Sequence, residues 1–329
     1  MMTKGLFLLL LAAPISSKYF IEGSDASDTL SLPANKKVMV WMANPYPEPS
    51  RNQTVQTFID GLKPHRMAFT GLAYQYFAIC GEGSDELGGS NDCSSLDARD
   101  PPTLSKGHPT ETPSNLGALL TAGLGVGPNG TPLELWPVIS YGNPGNATVL
   151  NKLLHDHVAQ TQFIADAIAI AHEQHLAGFN FDLEAQGSTV DRHALGAFLQ
   201  TFCTALHAAD PPIKVSYEGN GEMFSQAPPI TGVGAMDRWI SMGTYTGNTT
   251  SYLAQLKQGV ESSGSKFGVG MCPSCQMLDE ADTETRFAAI EGYNGTVREI
   301  DLWAADYKVP TSPRWEFYWP RLQKWLQTP

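Results

Sequence analysis

Positive charge is scarce in this chain. Its 21 Lys and Arg stand against 33 Asp and Glu, for a net charge of −12 and a pI near 5.0. That balance argues against nucleic acid, which wants a basic face, and against an anionic membrane surface. Charge of either sign is sparse, at 16% of 329 residues, whereas apolar residues reach 42%. Such a chain can bury an ordinary globular core and leaves little room for extended disorder. Beyond the first residues, no apolar run approaches the ~20 needed to cross a bilayer. No Gly-rich phosphate loop follows the first apolar strand, where Asn44–Arg51 reads NPYPEPSR. A doubly wound nucleotide-binding sheet is thereby disfavoured. Neither a strong internal repeat nor a composition break marks a second domain.

Cysteines number only five. Cys80 and Cys93 bracket a polar, Gly-rich loop, and Cys272 and Cys275 form a C-x-x-C. Zinc would need a second ligand pair, and none stands nearby in sequence. Each pair therefore reads as a disulfide closing a short loop. Cys203, in an apolar helical stretch, reads as a buried thiol.

The N-terminus explains an oxidising compartment. Lys4 precedes the apolar run Gly5–Ala13, and small residues follow at Ser16 and Ser17. Residues 1–17 are expected to be a secretory signal, leaving 18–329 as one soluble domain outside the cytosol. That domain would be extracellular, or lysosomal or vacuolar. N-x-[ST] sequons at Asn52, Asn129, Asn146, Asn248 and Asn294 agree, most in loop-like Gly/Pro/Ser-rich stretches.

Apolar β-type runs alternate with amphipathic helical windows along the chain. The strands expected are Lys37–Ala43, Gly71–Ile79, Leu135–Tyr141, Gly178–Leu183, Ile213–Glu218, Arg238–Tyr245, Lys266–Met271 and Glu299–Ala305. Helical windows are Ala147–His175, Val190–Ala209, Ser251–Ser262, Ala281–Gly292 and Pro313–Leu326. Eight β/α repeats in about 300 residues predict an α/β fold, a single-domain (β/α)8 barrel. The polar stretch Gly81–Gly117 reads as a loop insertion after the second strand.

The chemistry concentrates in Leu176–Gln186, LAGFNFDLEAQ. Alternation puts Asn180, Asp182 and Glu184 on one face and Phe179, Phe181 and Leu183 on the other. In a barrel the polar set points inward, where such groups are costly unless they bond one another or do work. Glu184 falls at the strand's C-terminal end, where barrel enzymes place their chemistry. From spacing alone a solvent-facing Asp-x-Glu fits equally well.

GFNFDLE resembles the D-G-x-D-x-D-x-E strand of glycoside hydrolase family 18, the chitinases and their relatives. Asp182, Glu184 and Gly178 match its last Asp, its Glu and its Gly. Ala177 replaces the first Asp and Asn180 the middle one, the latter also seen in the chitobiase-like branch. Ser140-Tyr141-Gly142 resembles the family's S-x-G-G, and Gly243-Thr244-Tyr245 its M-x-Y-D, with Thr246 at the Asp position. Trp303 sits in the eighth strand, where the family floors the subsite of the cleaved sugar.

The resemblance implies a retaining, substrate-assisted hydrolase acting on β-linked N-acetylglucosamine, with no cofactor and no metal. Glu184 would be the general acid. Asp182 would orient the sugar's acetamido group, Tyr245 would hold its carbonyl, and Asn180 would support Asp182 from below. Trp303 and Ser140 would contact substrate. Glu218, after the fifth strand, could line a subsite, as could Glu222. The alternative is a catalytically silent carbohydrate-binding lectin on the same fold. Tyr74 and Tyr76 alternate inward and are expected to fill the barrel. His172-Glu173-Gln174-His175 is not the H-E-x-x-H of a zinc site.

Overall fold

Eight parallel strands close on themselves in the computed structural model of the chain. They are β1 (Lys37–Met42), β2 (Gly71–Cys80), β4 (Glu134–Ser140), β5 (Gly178–Phe181), β6 (Lys214–Gly219), β7 (Arg238–Ser241), β8 (Phe267–Met271) and β9 (Glu299–Ala304). Each pairs with the next in that order, and β9 returns to β1, so the barrel is complete. The structure describes residues 36–42, 55–81, 102–106, 115–140, 147–183, 190–219, 232–273, 278–293, 295–304 and 315–328. Outside them lie the signal-like segment 1–17, Glu184, Glu222, Cys93, Cys275, and the sequons at Asn52, Asn146 and Asn294.

The ninth strand was not foreseen. β3 (Thr103–Lys106) lies inside the stretch read as a loop and runs antiparallel to the end of β2. Phe77 and Ala78 pair with β4 and β3 together, so β3 takes the edge of β2 that β1 leaves beyond Tyr74. Four residues after two prolines carry no legible alternation, and a long-range edge decides their conformation.

Eight α-helices are described: α1 (Val55–Leu62), α2 (Leu116–Leu124), α3 (Thr148–His155), α4 (His157–Gln174), α5 (Arg192–His207), α6 (Thr249–Ser263), α7 (Glu280–Gly292) and α8 (Trp315–Gln327). Ala147–His175, one window in the sequence, is two helices. Asp156 leaves helical geometry at φ −112°, ψ 98°, and its carboxylate accepts from the amides of Val158 and Ala159. An Asp that caps a helix start stops the preceding helix.

The main core lies between barrel and helices. Leu195, Phe198, Leu199, Phe202, Cys203 and Leu206 recur at helical spacing on α5, all buried. Phe198 and Phe202 meet Phe181 edge-on, and Phe202 meets Phe179. Tyr74 and Tyr76 belong to this outer core, not to the barrel interior. Tyr74 keeps the strand's alternation and faces out, beside Leu72, and the register of β2 slips between Gln75 and Phe77. Trp319 and Trp325 are buried where α8 packs, as their helical spacing suggests. Cys203 is free and buried; Cys80 and Cys272 are each disulfide-bonded.

Candidate active site

The barrel interior is built upward from a charged floor. Lys37, Glu134, Arg238 and Glu299 are the first residues of β1, β4, β7 and β9, and their side chains interlock. Lys37 pairs with Glu134; Arg238 donates to Glu299 at 2.6 Å and lies 3.7 Å from Glu134. The Arg238 guanidinium also covers the Trp136 ring at 4.6 Å, and the Trp136 indole donates to Glu134 at 3.1 Å. Burial alone would lower the Arg238 pKa, but Glu299 and Glu134 hold it above its ordinary value.

Above this floor sits a small apolar plug of Met39, Trp41, Ala73, Trp136 and Val138, with Ala177 and Trp303 against it. Gly178 admits Trp136: a β-carbon there would stand 2.6 Å from the indole and 2.5 Å from the Lys214 carbonyl. Trp41 donates from its indole to Asp301 at 3.3 Å. Burial first, and Glu299 second, raise Asp301 well above the usual carboxylate range, which favours its neutral form. Trp41 in turn packs against Trp303, ring centres 5.5 Å apart. Trp41, Asp301 and the floor quartet were not singled out from sequence. The signal was there: Glu299, Asp301 and Trp303 alternate on one face of their strand.

The polar residues expected to work lie higher. Asn180 and Ser216 face inward on paired positions of β5 and β6, and the Asn180 amide donates to the Ser216 hydroxyl at 2.8 Å. Asn180 thus supports its neighbour strand, not Asp182 as expected. Beyond β5 the chain stays in register, with the Asp182 amide donating to the Ile139 carbonyl at 3.0 Å. Asp182 is then level with Ser140 on β4 and Glu218 on β6. Asp182 is 8% exposed and Glu218 2%. Ser140 and Trp303 are half-buried.

Tyr245 reaches the same mouth from the loop after β7, which ends at Ser241 rather than Tyr245. Thr244, fully buried, sets its hydroxyl 2.7 Å from the carbonyls of Ser241 and Gly270. This anchor lays the Tyr245 ring against Gly270 on the inner face of β8. Asp182, Glu218, Ser140, Tyr245 and Trp303 therefore share the end of the barrel at which its strands finish. Such an arrangement can orient a polar ligand over an aromatic wall. Among the described residues no cluster of His, Cys, Asp and Glu could hold a metal ion, and no helix is long and apolar enough to cross a membrane.

No family model matches the chain, and no curated protein matches it in sequence. In three dimensions it is similar to the class V chitinase of Nicotiana tobaccum, with TM-score 0.60 and 10% identity over 88% of this chain and 99% of that one. It is likewise similar to the catalytic domain of a family GH18 chitinase from the fern Peteris ryukyuensis, with TM-score 0.57 and 13% identity over 89% and 100%. The spore cortex-lytic enzyme SleL of Bacillus megaterium gives TM-score 0.55 and 14% identity over 85% and 75%. The barrel implied by the resemblance to family 18 is thus the barrel this chain has.

Proposed function

We propose that the protein is a glycoside hydrolase of the family 18 type, cleaving β-linked N-acetylglucosamine in chitin fragments, chitobiose or the core of N-linked glycans. One observation supports the reading: Asp182, Tyr245 and Trp303 each lie at the end of a closed barrel where its strands finish. Solved chitinases share that barrel at low identity.

In the mechanism, Glu184 protonates the glycosidic oxygen and later activates water. The sugar's own acetamido oxygen attacks the anomeric carbon. Asp182 orients the acetamide and balances its developing positive charge, and the Tyr245 hydroxyl holds its carbonyl oxygen. Trp303, backed by Trp41, floors the subsite. The chain enters the secretory pathway on residues 1–17, with Cys80–Cys93 and Cys272–Cys275 as its disulfides. Asn248 suits glycosylation: its side-chain oxygen caps α6 by accepting from Ser251 at 2.9 Å, and the residue is exposed.

The deciding experiment offers purified protein chromogenic chitobioside and cellobioside in parallel. Cleavage confined to the chitobioside, with inhibition by a thiazoline analogue well below substrate concentration, supports the reading. Equal cleavage of both, or a glycosyl ester trapped on Asp182, overturns it. Binding of chitooligosaccharide without turnover leaves the lectin.

A further inference from the structure

We infer that Arg286 is a positioning residue for Tyr245, fixing from outside the barrel the loop on which that tyrosine enters the mouth. This role deepens the proposed function and rests on it for its catalytic meaning, though not for its geometry.

Arg286 is a cation on the packed side of a helix. Thr283, Arg286, Phe287 and Ile290 form the buried face of α7, at helical spacing. The guanidinium is fully buried, and its carbon lies over the Tyr252 ring of α6 at 4.4 Å. A cation so placed is costly unless its donors and its charge are used. Its Nη2 donates to the Thr246 carbonyl at 2.6 Å, whereas Nε and Nη1 find no acceptor among the described residues. The short bond of this side chain thus goes to the loop, not to a helix against which it packs. Packing alone would be served as well by an uncharged side chain of similar length.

That bond closes a bracket around Tyr245. On one side the Thr244 hydroxyl meets the carbonyls of Ser241 and Gly270, each at 2.7 Å. On the other Arg286 holds the carbonyl of Thr246, and a charged donor makes that contact stronger than a neutral one. Between them the Tyr245 amide donates to the Met242 carbonyl at 2.9 Å, closing a turn. One helical turn before Arg286, Asp282 accepts from the Thr249 hydroxyl at 3.0 Å. A single edge of α7 therefore grips both ends of the segment 246–249. The Tyr245 ring, lying against Gly270, takes its place from this backbone. A displacement of about 1 Å in a catalytic group can cost on the order of 10²-fold in rate.

Amide hydrogen exchange and chitobioside kinetics of the native chain, Arg286→Met, Arg286→Lys and Phe287→Leu read the role directly. Phe287 is the packing control, buried on the same face with its ring 6.1 Å from that of Tyr318. In Arg286→Met, exchange at residues 245–248 should rise at least about tenfold, and Arg286→Lys should restore part of the protection. Phe287→Leu should leave that segment within about twofold of native. The kcat of Arg286→Met should fall about tenfold with KM changed less than about twofold, while Phe287→Leu keeps the native kcat. Added to Tyr245→Phe, Arg286→Met should cost less than about twofold further, because the hydroxyl that it positions is already gone. Arg286→Gln, neutral and shorter, gives the same comparison where Arg286→Met does not fold. Unchanged exchange at 245–248 in the variant lacking the guanidinium, or an equal rise in Phe287→Leu, would overturn the role. So would a full tenfold loss on top of Tyr245→Phe, since Arg286 would then act elsewhere. A native chain with this exchange pattern and no turnover would leave the loop clamp standing and remove the proposed hydrolase.

Discussion

The Tyr245 ring occupies the space in front of Gly270: a β-carbon built there would lie 2.5 Å from ring carbon Cε1 and 2.3 Å from the Ser241 carbonyl. The absence of one side chain on β8 thus lets a residue of the preceding loop enter the barrel mouth. Gly270→Ala should cost about 1–3 kcal/mol of stability, the penalty of overpacking, and weaken chitooligosaccharide binding by moving the ring. Thermal melting and a binding titration read the two effects. Gly196→Ala on α5, where nothing lies within 4 Å of the new carbon, is the control. It should stabilise by about 0.5–1 kcal/mol, as alanine for glycine inside a helix does.

Glu184→Gln keeps the side-chain shape and removes the proton donor. Turnover should fall by about 10²–10⁴-fold, the range of a lost general acid, while oligosaccharide binding persists. Asp182→Asn should lower turnover severely, and Tyr245→Phe more mildly. A Glu184→Gln protein that keeps most of its rate would take the acid away from that residue.

Strands proved easier to read than the connections between them. Alternation in GFNFDLE separates Asn180 and Asp182 from the phenylalanines that pack on α5, and the register bears this out. The eight barrel strands fall where apolar runs of strand length predict them. Tyr74 and Tyr76 misled because alternation fixes relative facing but not which face is the lumen. The register slip between Gln75 and Phe77 then breaks the alternation itself. β3 is stabilised by pairing with β2, a long-range contact that its own four residues do not encode. The Lys37–Glu134 and Arg238–Glu299 pairs join residues far apart in sequence, and only barrel closure brings them together.

That closure makes Arg238 costly to remove. Arg238→Ala would leave Glu299, 7% exposed, without the guanidinium that it accepts from. Stability should fall by about 3–5 kcal/mol, as when one partner of a buried ion pair is lost. Adding Glu299→Gln should recover part of that loss, because the uncompensated charge goes with it. Urea unfolding of the single and double variants compares them. A double variant no more stable than Arg238→Ala would trace the cost to the Trp136 packing instead.

Asp301 should give the protein an unusual dependence on pH. Burial, then Glu299, raises its folded-state pKa well above the unfolded value. The folded chain therefore binds a proton that the unfolded chain has released. Stability from this group is full below the unfolded pKa, about 4, and is lost as pH rises through the folded one. The slope for one proton is at most about 1.4 kcal/mol per pH unit. Glu299, raised by burial, acts in the same sense. Glu134 acts oppositely: burial would raise it, but Lys37 and Arg238 hold it low, so its contribution is lost as pH falls. Asp301→Asn isolates the contribution of this carboxyl, since its amide oxygen can still accept from the Trp41 indole while titrating nothing. The native protein should lose stability relative to this variant as pH rises from about 4 toward neutrality, and Asp301→Asn should be the more stable at pH about 7. Unfolding free energies of both proteins across that range measure the difference. A flat or rising difference would mean that Asp301 ionises freely in the barrel, and that burial does not govern it.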